Sequence, residues 1–248
     1  MIQRPPRADP FKEQLRESLQ RATLNSRAVK IARHANVYTC GDQDATVYFI
    51  ESGQVKLLML SPEGKECLLA IHGAGDIFGE LCLSGLGARL ETATAMKGTI
   101  LKQIPSSQFL ARLSRDSLLE GFVRYLALRI AAQQQVIANM VTVDSEQRLG
   151  KTLLQLARTL GQKNPHGMRI DTKISHEELS EMVGTTRPRV SMFMERFRKH
   201  GLLETGSEHC LVVNEKKLTD YLIRIAIEGG HRRNASNHFF PAVPVTSQ

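Results

Sequence analysis

Cysteine is scarce and scattered in this chain. The four residues Cys40, Cys67, Cys82 and Cys210 contain no Cys-x-x-Cys pair, which excludes a zinc ribbon and an iron-sulfur run. Buried free thiols are their expected state. No apolar run approaches the roughly 18 to 20 residues of a membrane span, and no signal peptide opens the sequence, so a cytoplasmic protein without a membrane partner is expected. Catalytic signatures are missing too. Ser, His and Asp form no recognisable nucleophile motif, and His176, Glu177 and Glu178 have no further metal ligand at useful spacing, so neither a catalytic nor a metal site is read.

What is present is a chain of 248 residues, 42% hydrophobic, long enough for one large domain or two ordinary ones. Its formal charge of +8 suits a polyanionic partner, although charge alone does not separate nucleic acid from a membrane surface.

The stretch from Lys173 to Glu204 is more specific. Ser175 and Glu178 stand three apart as a capping box ahead of Leu179, Met182 and Val183, which starts a helix. Gly184 ends it, supplying the left-handed backbone of a sharp turn, and Thr185 and Thr186 are placed to cap the next helix, with Pro188 in its first turn. Val190, Phe193, Met194 and Phe197 fall at i, i+3, i+4 and i+7, one buried stripe. The other side carries Arg189, Ser191, Met192, Arg196 and Lys199, with Arg187 at the amino end. This is a helix-turn-helix whose second helix suits a major groove. Arginine grips guanine O6 and N7 bidentately, worth roughly 1–3 kcal/mol against a wrong base, while hydroxyls and helix-start amides hold phosphate. An ordinary helical hairpin with a solvated basic face is the competing reading.

Ahead of this unit the texture varies along the chain. Residues 1–10 read as a loose arm, followed by a short helix from Phe11 to Thr23. From Ala28 to Pro105 come short β-rich runs, VYFI, VKLLML, ECLLAI and TILKQI, separated by turn clusters, as in a sandwich, jelly roll or barrel. The segment from Gly73 to Gly87 is too glycine-rich for a plain strand, so its backbone is expected to approach something closely. Beyond Pro105 a heptad seam appears: Leu119, Val123, Leu126, Ile130, Gln133, Ile137 and Met140 alternate spacings of four and three. Such a helix pairs with its twin in a homodimer, or packs on its own β domain. A second helix is expected from Glu146 to Leu160, then a loop, GQKNPHG. LLETGSEHCLVVNE reads as a two-stranded wing, Lys216 to Ile227 as a last helix, and the tail as disordered.

In this order, with IFGEL at 77–81, Asp144 to Arg148 leading into TLLQLA, and the helix-turn-helix itself, the chain resembles the CRP/FNR family of bacterial transcription regulators over roughly residues 28–225. The resemblance implies an α+β chain with five parts: amino-terminal arm and short helix (1–27), cyclic-nucleotide-binding-like β-roll or jelly roll (28–115), dimerisation helix (116–143), winged helix-turn-helix DNA-binding domain (144–228) and disordered tail (229–248). It implies a homodimer on palindromic double-stranded DNA, with reading helices entering major grooves about 34 Å apart, and RNA polymerase as a partner. A signalling module whose carboxy-terminal domain binds protein is the alternative. Arg187 matches the family's first base-contacting arginine, whereas Pro188 replaces the usual glutamate and Met192 a later arginine. Arg189 is then available as a base or phosphate contact, Ser191 lies beside it, and Met192 can meet thymine methyls. Thr185, Thr186 and His176 match phosphate-holding positions.

The same resemblance implies an effector pocket, formed by Gly79, Glu80 and Leu81, with Glu80 for a ribose hydroxyl, Arg89 for a cyclic phosphate, and Gln133 and Gln134 at the adenine-contacting positions. Leu90 and Glu91 depart from the family pattern, since a small hydroxyl residue and a small residue are usual there. With residues 89 and 91 on one face of a strand, Glu91 would neutralise Arg89 and repel phosphate. Cyclic AMP, another nucleotide or small anion, and no small ligand all remain open; in the last case Glu80 and Arg89 are expected to form a structural ion pair. The amino-terminal cysteine cluster of the family's oxygen sensors is missing. His34 and His72, the candidate haem ligands, read as surface residues.

Overall fold

The computed structural model describes residues 10–21, 27–206 and 210–237. The expected arm at 1–9 and the tail beyond 237 lie outside these residues.

Two four-stranded antiparallel sheets build the amino-terminal half. Strands β1 (Arg27–Ile31), β2 (Asn36–Tyr38), β3 (Thr46–Ser52), β4 (Gln54–Leu60), β5 (Glu66–Gly73), β6 (Ile77–Phe78), β7 (Thr92–Ala95) and β8 (Thr99–Pro105) are ordered β1-β8-β3-β6 in one sheet and β2-β7-β4-β5 in the other. Strand β3 is buried on both sides, and its alternation divides two cores. Tyr48 and Ile50 point between the sheets, onto Val55, Leu57, Phe78 and Leu101. Val47 and Phe49 point the other way, onto three helices: α1 (Pro10–Arg21), α2 (Ser106–Arg115) and α3 (Leu119–Thr142). Phe11, Leu15 and Leu19 of α1, Phe109 and Leu113 of α2, and Phe122 and Tyr125 of α3 complete that second core.

The carboxy-terminal half packs α4 (Ser145–Leu160), α5 (His176–Val183), α6 (Arg187–Lys199) and α7 (Glu215–Asn237) with a sheet ordered β11-β12-β10-β9. Strands β11 (Leu203–Thr205) and β12 (Leu211–Val213) are the expected wing, with Leu203 opposite Val213. Its core is continuous with the roll, because Leu58, Leu68 and Ile71 pack into the cluster built by Leu149, Leu153, Leu179 and Phe197.

Several expectations are corrected. The GQKNPHG segment is no loop: β9 (Gln162–Asn164) and β10 (Gly167–Ile170) form a hairpin that extends the wing sheet. Its turn is shaped by Asn164, whose side-chain oxygen accepts from the His166 amide at 3.1 Å, and by Gly167 at φ 147°. Helix α7 continues to Asn237, so the segment 229–237, read as a disordered tail, is helical. Of the thiols only Cys210 is buried, while Cys40 and Cys67 are exposed. His72 is buried, 3.7 Å from Asp76.

Candidate functional site

The helix-turn-helix is assembled by local chemistry. The Ser175 hydroxyl accepts from the Glu178 amide at 3.1 Å, and the Glu178 carboxylate accepts from the Ser175 amide at 2.9 Å. Gly184 ends α5 at φ 64°, the left-handed geometry of the turn. Val190, Phe193, Met194 and Phe197 are buried, which leaves the opposite edge of α6 outward.

That edge carries Arg187, Pro188, Arg189 and Met192, all exposed. The side chains of Arg187 and Arg189 make no ion pair or hydrogen bond among the described residues. Lys199 is also exposed and lies 3.8 Å from Glu195. Thr186 is the residue ahead of α6, but its side chain makes no capping bond, which corrects the expected threonine cap. Pro188, at the second helical position, removes one of the two amides such a cap can bind; the Arg189 amide at the third is left without a bond from the Thr186 side chain. Thr185 is half-buried in the turn.

His176 and Ser191, both read as DNA contacts, meet each other, with Nδ1 and Oγ 2.8 Å apart. Burial lowers the His176 pKa, and the guanidiniums of Arg198 and Arg187 lower it further, so the imidazole is neutral at pH 7. Arg196 is turned to Glu146 at 2.6 Å, and the same carboxylate accepts from Tyr221 at 2.7 Å, tying α6 to α4 and α7.

Arg148 holds a junction that periodicity could not find. Its guanidinium donates to Val143 O at 2.7 Å, Val183 O at 2.8 Å and Gly184 O at 3.3 Å, clamping the end of α3 to the helix-turn-helix turn. On the seam, Leu119, Val123, Ile130, Ile137 and Met140 are 40–66% exposed and Gln133 is exposed, whereas Leu126 packs partly into the helical core of its own chain.

The effector-pocket residues are arranged differently from expectation. Gly79 has φ 77° and precedes the single 3-10 turn Glu80–Ser84; a Cβ on it would come within 2.9 Å of Arg89 Nη1. Arg89 is what approaches the glycine-rich backbone. It is 3% exposed and donates to Asp44 at 2.6 Å, Gly79 O at 2.7 Å and Thr46 O at 2.5 Å, with the Tyr38 ring 4.1 Å away. Burial opposes its charge, but Asp44 outweighs burial and keeps the guanidinium pKa above its ordinary value.

The expected pair between Glu80 and Arg89 is therefore not formed. Glu80, buried, holds Arg129 of α3 at 2.5 Å instead. Nor does Glu91 contact Arg89, because residues 89–91 precede β7 in irregular backbone and strand alternation does not apply to them. Glu91 is 2% exposed and accepts from the Tyr38 hydroxyl at 2.9 Å. Between the roll and α3 lies a cavity of about 390 Å³, lined by Glu80, Leu81, Glu91, Arg129 and Gln133 among others. Arg89 and Gln134 do not line it.

Comparisons with known proteins agree with this geometry. Residues 28–116 match the model of the cyclic nucleotide-binding domain, and residues 147–221 that of the Crp-like helix-turn-helix domain. The chain is 28% identical over 199 residues to a CRP-like cAMP-activated global transcriptional regulator of Mycobacterium tuberculosis, covering 79% of this chain and 88% of that one. It is 28% identical over 191 residues to the global nitrogen regulator of Synechococcus elongatus, covering 75% and 86%. Among solved structures it is similar to a mutant of CooA from Carboxydothermus hydrogenoformans, with a TM-score of 0.68 and 26% identity over 83% of this chain and 94% of that one. With both domain models matched in this order, and regulators of the same build aligned across most of its length, the chain belongs to the CRP/FNR family of transcription regulators.

Proposed function

We propose that this regulator works as a cytoplasmic homodimer on palindromic promoter DNA, without a classical cyclic-AMP requirement. The observation that carries DNA reading is the outward edge of α6, where two arginines that are unpaired among the described residues stand on a helix anchored by four buried apolar residues. Arg187 and Arg189 are the base readers in this proposal, Met192 meets thymine methyls, and Thr185, Thr186, His176 and Lys199 hold backbone phosphate. Ser191 acts through His176, which it orients.

Pairing is supported by α3, a helix of 24 residues with only Phe122 and Tyr125 buried and an apolar seam turned to solvent. A second copy of that seam covers it, and Gln133 sets the register. Two reading helices then face successive major grooves. The β9–β10 hairpin stands in the segment where the family keeps its surface toward RNA polymerase, and the proposal assigns it that contact.

The seat of Arg89 argues against cyclic AMP, since its guanidinium is taken by Asp44 and two carbonyls and does not line the cavity. The test is operator binding by the purified protein, with a site selected from random duplexes, at one stated salt concentration, with and without cyclic AMP, cyclic GMP and cyclic di-GMP. Tight binding indifferent to all three is expected. A marked gain with cyclic AMP would overturn the ligand part, and failure to select any site would overturn DNA reading.

A further inference from the structure

The cavity beside α3 has the wrong charge for a phosphate. Its wall contains two carboxylates, Glu80 and Glu91, against one guanidinium, Arg129. Arg129 is held by Glu80 Oε1 at 2.5 Å, while Glu80 Oε2 is buried without a hydrogen-bond partner. The Glu80 side chain is itself more than nine-tenths buried, at 8% exposure. Such an orphaned acceptor is unfavourable unless a donor reaches it.

Glu91 has only the neutral Tyr38 hydroxyl as partner and no ion pair among the described residues. Burial raises its pKa and the nearby Glu80 charge adds to this, while the Tyr38 hydrogen bond and the more distant charges of Arg89 and Arg129 work against it. Arg129 pairs with Glu80, which leaves Glu91 as the wall's carboxylate without an ion-pair partner among the described residues. Around the carboxylates the lining is aliphatic, with Leu57, Leu126 and Ile130. A hard metal ion is a poor occupant, since it requires about six oxygen ligands and this wall is mostly hydrocarbon.

We infer that the cavity takes a small amine with an apolar body, its ammonium donating to Glu80 Oε2 and Glu91 and its body resting on the leucine and isoleucine wall. One monocation satisfies the orphaned acceptor and gives Glu91 an ion-pair partner. An anion of the same shape meets two carboxylates. The inference rests on the regulator reading only for what the amine does to DNA affinity; capture of the amine is measured without DNA.

The probes are three molecules of one shape, 2-phenylethylamine, 2-phenylethanol and phenylacetate, with cyclic AMP as the fourth, titrated into the full chain by calorimetry and thermal shift. The amine is expected to bind saturably, one per chain, at least tenfold tighter than the alcohol, with phenylacetate and cyclic AMP silent. Glu80→Gln should weaken the amine at least tenfold. Because that variant also unpairs Arg129, Glu91→Gln is measured beside it with the same expectation. A silent amine, an alcohol as tight as the amine, binding of phenylacetate or cyclic AMP, or full amine affinity in Glu91→Gln would overturn the inference. If the amine binds and operator affinity does not move, amine capture stands and its link to regulation falls.

Discussion

Glu178 Oε1 lies 2.9 Å from Lys56 Nζ, joining the first helix of the helix-turn-helix to strand β4 of the roll. Both side chains are less than a fifth exposed, and the same carboxylate closes the capping box of α5. Lys56→Ala is expected to loosen the junction by roughly 1–2 kcal/mol, intermediate between an exposed and a buried charge pair. Amide exchange in α5 and β4 should quicken while the roll's inner strands stay protected; unchanged exchange at both would show that the pair holds nothing.

Acid should act at the same junction. Burial raises the Glu178 pKa, but the Ser175 amide and Lys56 outweigh burial and hold it below its ordinary value. A carboxylate depressed in the folded state contributes its full stabilisation above the unfolded pKa of about 4.3, and that contribution is lost as pH falls through the folded value. Stability measured from pH 6 downward should decline less steeply in Glu178→Gln than in the parent.

On α6, Arg187→Ala should weaken cognate binding by roughly 1–3 kcal/mol, the worth of a bidentate guanine contact, and random DNA far less. Lys199→Ala should weaken both alike and reduce the salt slope by about one. Equal losses on both DNAs for Arg187→Ala would count against base reading.

For the seam, Ile137→Glu is the cleaner probe, because Ile137 is exposed, whereas Leu126 also supports its own chain's core. Light scattering should give the monomer mass. An unchanged dimer mass would remove α3 from the interface.

Arg89→Ala should destabilise the ligand-free protein by about 3–5 kcal/mol, since it leaves a largely buried network of Asp44 and two carbonyls without its cation. An arginine kept in reserve for a ligand phosphate would lower ligand affinity and leave the free protein's melting temperature where it was.

The parts that could be read from sequence are those in which chemistry is local. Ser175 and Glu178 are three residues apart and Gly184 follows at the other end of the same eight-residue helix, so cap and turn are written in one short stretch. Strands β3, β4, β5 and β8 announce themselves by their apolar runs. The pocket pairings were not legible because their members are distant: Arg89 finds Asp44 across 45 positions, and Glu80 finds Arg129 on another element. No periodicity records such a choice. The β9–β10 hairpin is not legible because its strands are only three and four residues long and β9 is wholly polar, and Thr186 shows that a threonine at the cap position does not by itself make the capping bond.

Strand β3 has a consequence for tolerance to change. With Val47 and Phe49 committed to the helices and Tyr48 and Ile50 to the space between the sheets, no face of this strand is left to solvent. A one-residue insertion ahead of Val47 would exchange the two sets, sending a phenol into the helical core and pulling Tyr48 away from Asp44, to which its hydroxyl donates at 2.8 Å. Asp44 is also the carboxylate that seats Arg89, so a frame slip in one strand would dismantle two cores and the arginine's seat together.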